Sequence, residues 1–129
     1  MQVLRLDDNA LTHLPESTGG LTKLEELVAS QNDLERLPGS VGLLRSLHTL
    51  HIDDNLISEL PPELGSCNKL RILTASANKL IGVPPELGQI SQLSVLNLCD
   101  NLIRNLPVSF TKLKVILSKI FYFLVIVLI

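Results

Sequence analysis

Leucines recur at Leu4, Leu27, Leu50, Leu73 and Leu96, each 23 residues after the last, and each sits inside a short alternation of apolar and polar positions. Counting places from Met1, the apolar columns continue at place six (Leu6, Ala29, Ile52, Ala75, Leu98), place eleven (Leu11, Leu34, Ile57, Leu80, Ile103) and place fourteen (Leu14, Leu37, Leu60, Val83, Leu106). A period of two over five residues is the signature of a strand buried on one face. It predicts strands at Val3–Asp7, Glu26–Ser30, Thr49–Asp53, Ile72–Ser76 and Val95–Cys99. The second half of each unit opens with a proline (Pro15, Pro38, Pro61, Pro84, Pro107), usually with a glycine four residues later. Pro fits a first helical turn and Gly an ending one, and so short a return leaves room only for a 3₁₀ turn or one irregular helical turn. No hairpin can join such strands, because each unit must travel back before the next begins, so they stack in parallel. A thin sheet inside and a bulkier return outside bend the stack.

Five asparagines, Asn9, Asn32, Asn55, Asn78 and Asn101, follow the strands at the same interval. The chain turns sharply there, and backbone groups leaving the sheet need partners that an amide side chain can supply as both donor and acceptor. Each is expected to be a structural rung between successive units, so that Asn55→Ala destabilises by about 1–3 kcal/mol. The opening of the third unit, LHTLHIDDNLI, has the spacing L-x-x-L-x-L-x-x-N-x-L and resembles the leucine-rich repeat. The expected fold is therefore an α/β repeat: a leucine-rich repeat solenoid forming a partial horseshoe, with a parallel β-sheet on the concave face and short turns or 3₁₀ helices on the convex one. Its units are 1–23, 24–46, 47–69, 70–92 and 93–115. Met1 sits at the first position of a unit already in progress, so the start reads as a cut through an array or an internal initiation site.

Register alone gives the outward positions of the strands. Places three and five supply the candidate protein-binding residues Glu26, Val28, Thr49, His51, Ile72, Thr74, Val95 and Asn97. Place seven (Asp7, Ser30, Asp53, Ser76, Cys99) also points outward. Val28, Ile72 and Val95 beside Thr74 and Asn97 would make a mixed patch suited to a protein partner. The competing explanation is that β-branched residues simply favour strands.

Composition narrows the function. Of 129 residues, 19% are charged and the net charge is −2, which gives no electrostatic footprint for nucleic acid. MQVLRLDDN carries two aspartates and no apolar core, so a cleaved secretory signal is not expected. Cys67 takes the inward place of Leu21, Leu44, Ile90 and Leu113, whereas Cys99 follows a strand; two thiols that do not meet suit a reducing cytosol. His48 and His51 are an odd number of residues apart on a strand and face opposite ways, which argues against a metal site. Asp7–Asp8 and Asp53–Asp54 lie two units apart, on the order of 10 Å, and with Asp100 form an acidic margin: a solvated turn, or a contact that steers a basic partner. With no phosphate-binding glycine loop and no nucleophile elbow, neither catalysis, nor a cofactor, nor a small-molecule substrate is expected.

After Val115 the register fails. The stretch Val115–Ile129, VILSKIFYFLVIVLI, is nearly all apolar, but its uninterrupted part from Ile120 covers ten residues, against the roughly 17–20 a membrane span needs. Ile116–Ile129 is open to three readings: a weak membrane anchor, a cover for the C-terminal end of the array, or the product of a truncated or misread transcript.

LPESTGGLTKLEEL (Leu14–Leu27), the repeated NxLxxLPxELG, and NLPVSFTKLK (Asn105–Lys114) resemble the last leucine-rich repeats of the LAP proteins, which join such repeats to PDZ domains. The Erbin and Densin branch is more similar than Scribble. The resemblance covers Met1 to about Lys114 and implies a fragment of a scaffold for basolateral polarity and cell junctions, cytoplasmic and at the inner face of the plasma membrane, acting through protein contacts. PDZ sequence is missing, and the tail does not continue as that family does. Two alternatives stand beside it: a Ras-pathway regulatory repeat protein of the same intracellular subtype, and an adaptor anchored through the tail.

Overall fold

The computed structural model describes residues 2–112; the tail readings at Ile116–Ile129, and the inward place assigned to Leu113, lie outside them. Five strands, β1 (Val3–Arg5), β2 (Glu26–Val28), β3 (Thr49–His51), β4 (Ile72–Thr74) and β5 (Val95–Asn97), form one sheet in chain order. Every pairing is parallel and in the same register, Leu4 beside Leu27, Leu50, Leu73 and Leu96 in turn. Between them run 3₁₀ turns at Glu16–Gly20, Gly39–Leu43, Pro62–Ser66 and Pro85–Gln89, and a fifth at Val108–Lys112 follows β5.

The strands are three residues long where alternation predicts five. Hydrogen bonds between units nevertheless continue past each strand, as Ile52 N–H donates to Thr74 O (2.8 Å) and Asp54 N–H to Ser76 O (2.9 Å). What ends the extended conformation is place eight, where Asp8, Gln31, Asp54, Ala77 and Asp100 all have φ between 52° and 57°. Aspartate enters this left-handed region with help from its short polar side chain; alanine does not. Ala77→Asn is expected to stabilise the protein by about 1 kcal/mol, read as a higher melting temperature; an unchanged or lower one would mean that Ala77 is not strained.

The core is a file of side chains along the solenoid axis. Leu27, Leu50 and Leu73 are fully buried, as are Ile52, Ile57 and Leu80, and Val41, Leu64, Leu87 and Phe110 fill the space beneath the convex turns. Burial weakens at the first unit, where Leu4, Leu6 and Leu11 are only half-buried and Leu21 is exposed. A solenoid unit buries its apolar face against its neighbours, and here the described residues supply a neighbour on one side only.

Proline and glycine play different parts in the convex turns. Pro15, Pro38, Pro61 and Pro84 precede the first residue of their turns in extended backbone, as their fixed φ allows. The glycines do not end turns through a left-handed conformation, since among the described residues no glycine has positive φ. They are required by proximity. A Cβ on Gly19, Gly42, Gly65 or Gly88 would lie 2.5–2.7 Å from atoms of the following unit's turn.

Candidate functional site

The ladder asparagines repeat one geometry. Asn55 Nδ2 donates to Ala29 O of the unit before (3.0 Å) and to Ile52 O and Asp53 O of its own (3.2 and 3.1 Å), while Oδ1 accepts from Leu34 N–H (3.0 Å). Asn32 makes the same four bonds to Leu6 O, Ala29 O, Ser30 O and Leu11 N–H. Asn78 repeats them with Ile52, Ala75, Ser76 and Ile57. Asn101 does so with Ala75, Leu98, Cys99 and Leu80. Asn32, Asn55 and Asn78 are buried. Asn9 is exposed and keeps only the two bonds to its own unit, from Nδ2 to Leu6 O and Asp7 O.

This frame holds two files of side chains across the sheet: Glu26, Thr49, Ile72 and Val95 in one, Val28, His51, Thr74 and Asn97 in the other. Seven of the eight are half-buried. Val28 departs from the expectation that it faces the solvent: it is only 8% exposed. Its neighbours across the sheet are Arg5 and His51, longer side chains between which a valine is recessed, so it supports the surface rather than presenting itself. Glu26 accepts from Arg5 at 3.3 Å, with Arg5 largely in solvent, so the pair contributes little to stability.

The polar network of the inner face is centred on a residue outside the two files, Asp53. Asp53 Oδ1 accepts from Ser76 N–H (2.8 Å) and Ser76 Oγ–H (2.7 Å), and Oδ2 from Thr74 Oγ1–H and Ser30 Oγ–H (3.4 Å). Asp53 N–H donates to Ser30 Oγ at 3.1 Å, and His51 Nδ1 lies 2.7 Å from Thr74 Oγ1. Three units are thus tied together over the inner face through one carboxylate. The sequence carries a signal for this, since place seven reads Ser30, Asp53, Ser76 in successive units, a hydroxyl on either side of a carboxylate; considered alone, Asp53 looks like half of a solvated acidic pair. Asp54 is exposed.

The two histidines diverge. His48 Nδ1 lies 3.8 Å from Glu25 Oε2, whereas His51 joins the inner-face network. No group of His, Cys, Asp or Glu among the described residues is arranged to hold a metal ion.

The two cysteines are both free thiols. Cys67 is fully buried and its Sγ–H contacts Val41 O at 3.1 Å; burial pushes its pKa up from 9.0 to about 11, although Arg45 pulls the other way. The folded state therefore favours the neutral thiol. Its contribution is complete below pH 9 and is lost as the pH rises towards 11. A thiol reagent at neutral pH should modify only the exposed Cys99 in the native protein and both residues in denaturant; native modification of Cys67 would contradict its burial.

The large apolar side chains most exposed between the ladder and the convex turns are Ile81 and Leu102, at 63% and 61%, with Leu56 less so. They lie on the flank, not on the sheet. No helix among the described residues is long and apolar enough to cross a membrane.

This architecture is a leucine-rich repeat solenoid. A leucine-rich repeat family model matches residues 46–67. Among solved structures, the chain is similar to a leucine-rich repeat protein of Leptospira interrogans, with 35% identity and a TM-score of 0.85 over 89% of this chain and 29% of that one. It is also similar to the plant peptide hormone receptor RGFR1 in complex with RGF2, with 27% identity and a TM-score of 0.75 over 88% and 23% of the two chains. An internalin of Listeria monocytogenes shares the fold at 22% identity, with a TM-score of 0.78 over 89% and 32%. The chain spans less than a third of each of these proteins. No curated protein matches it. The described residues form a leucine-rich repeat region.

Proposed function

We propose that this chain is a non-enzymatic protein-interaction module that receives its partner on the concave sheet, as part of a scaffold of the LAP type. The observation that carries the reading is the inner face itself. Ile72 and Val95 pair across β4 and β5 beside Thr74 and Asn97, and the neighbouring Asp53 network fixes polar side chains before any partner arrives. Preorganisation of this kind lowers the entropic penalty of association. Support also comes from the similar plant receptor, whose structure holds it in complex with RGF2. The resemblance of Asn105–Lys114 to LAP repeats favours a role at cell junctions on the cytoplasmic side of the membrane. Two free thiols agree with a reducing compartment.

Ile72→Asp should abolish partner capture from epithelial lysate while leaving the circular dichroism spectrum unchanged, because a half-buried side chain on the open face supports little of the core. Ile81→Asp is the control on the flank and should capture as the unmodified protein does. The reverse pattern would move the binding surface from the sheet to the flank.

A further inference from the structure

The Asp53 network fixes which ring nitrogen of a neutral His51 holds the proton, and with it the chemistry the inner face can read. An ionised carboxylate only accepts hydrogen bonds, so the single hydroxyl proton of Thr74 is committed to Asp53 Oδ2. At the 2.7 Å contact between Thr74 Oγ1 and His51 Nδ1, the ring must then be the donor. A neutral imidazole has one N–H, so Nε2 carries a bare lone pair. It has no hydrogen-bond partner among the described residues. The relay runs His51 Nδ1–H to Thr74 O–H to Asp53, and it turns the far side of the ring into an acceptor.

The charged groups at the outward strand places and in the turns that follow them have one prevailing sign, although Arg71 stands just ahead of β4. Asp7, Glu26 and Asp53 stand at outward places of the strands and their ends, against Arg5, which is paired with Glu26. Asp8, Asp54 and Asp100 line the adjoining turns. We infer that His51 Nε2 is the specificity-determining acceptor of the concave face, and that it takes a cationic donor, a lysine or arginine side chain, from the docked protein. This rests on the concave-face reading and names the partner's chemistry. A carboxylate would meet a lone pair and a negative margin together.

Two measurements test the inference. Long-range ¹H–¹⁵N correlation of the imidazole should show His51 as the Nδ1–H tautomer, shifting towards Nε2–H in Thr74→Val, which removes the relay hydroxyl and keeps the shape. An unmodified protein with His51 mainly as Nε2–H would overturn the inference whatever binds to the sheet. Titration with three capped pentapeptides, Val-Thr-Xaa-Thr-Val with lysine, norleucine or glutamate at the centre, should move the Thr49, His51 and Thr74 resonances. The lysine peptide should bind about tenfold more tightly than the norleucine one, the worth of a hydrogen bond to a charged group, and the glutamate peptide least. That preference should disappear in His51→Leu. Equal binding of the lysine and norleucine peptides would sink the donor assignment while leaving concave docking intact. Resonances unmoved by all three would also sink it, whereas failure of the concave reading itself is registered separately by Ile72→Asp.

Discussion

Asn55→Ala is expected to destabilise the protein by about 3 kcal/mol, the upper end of the range for leaving buried polar groups unsatisfied. The substitution leaves Leu34 N–H without its acceptor and takes one of the donors from each of the carbonyls of Ala29, Ile52 and Asp53, which keep Asn32, Asn78 and the Gln31 N–H respectively. Asn55 is only 6% exposed, so water reaches these groups poorly. Asn55→Asp separates the two halves of the amide. It keeps an acceptor for Leu34 N–H but turns an oxygen towards three carbonyl oxygens, so it should be at least as damaging as alanine. Asn9→Ala is the internal control. Asn9 is exposed and makes two bonds within its own turn, so its loss should cost less than about 1 kcal/mol. Urea midpoints for the three variants decide the matter, and equal shifts for Asn9→Ala and Asn55→Ala would show that burial of the rung does not set its worth.

Gly65→Ala should be of similar size, in a part of the molecule with no polar network to lose. A Cβ at residue 65 would sit 2.7 Å from both the carbonyl oxygen and the Cβ of Glu86. Neither atom is the loose end of a side chain, so the turns Pro62–Ser66 and Pro85–Gln89 must separate. Overpacking of this kind costs about 1–3 kcal/mol, and Gly65→Val should exceed it. Gly20→Ala is the comparison, because an added Cβ there meets nothing within 4 Å. Thermal denaturation should place Gly65→Val lowest, Gly65→Ala next and Gly20→Ala near the unmodified protein. A Gly65→Ala protein as stable as Gly20→Ala would mean that the convex turns are not in tight contact.

The two variants also mark where the sequence was readable. The asparagine column could be seen because identical residues recur at a fixed interval next to a predicted strand end, and a polar residue with both a donor and an acceptor has an evident use there. The glycine column is equally periodic, but its reason is hidden. Glycine at a turn suggests a left-handed conformation, and that is wrong for Gly65: the left-handed residues on either side of it are Asp54 and Ala77, at place eight of their units, while Gly65 keeps negative φ and yields space to Glu86. Likewise, register put Val28 on the outward side of β2, and only the assembled sheet shows it recessed between Arg5 and His51.

The sequence by itself determined the period of 23, the parallel order of the strands, the inward columns and the file of asparagines, because each follows from chemistry repeated along the chain at a constant interval. Tertiary structure alone decided which outward side chains combine. Ser30, Asp53, Thr74, Ser76 and His51 come from three different units, and nothing local to any of them shows that one carboxylate will gather four donors or that a threonine will dictate which ring nitrogen of His51 holds the proton. Periodicity specifies the position of a residue within its own coil; hydrogen-bond polarity across the sheet depends on the distances between coils, and those exist only once the coils are stacked.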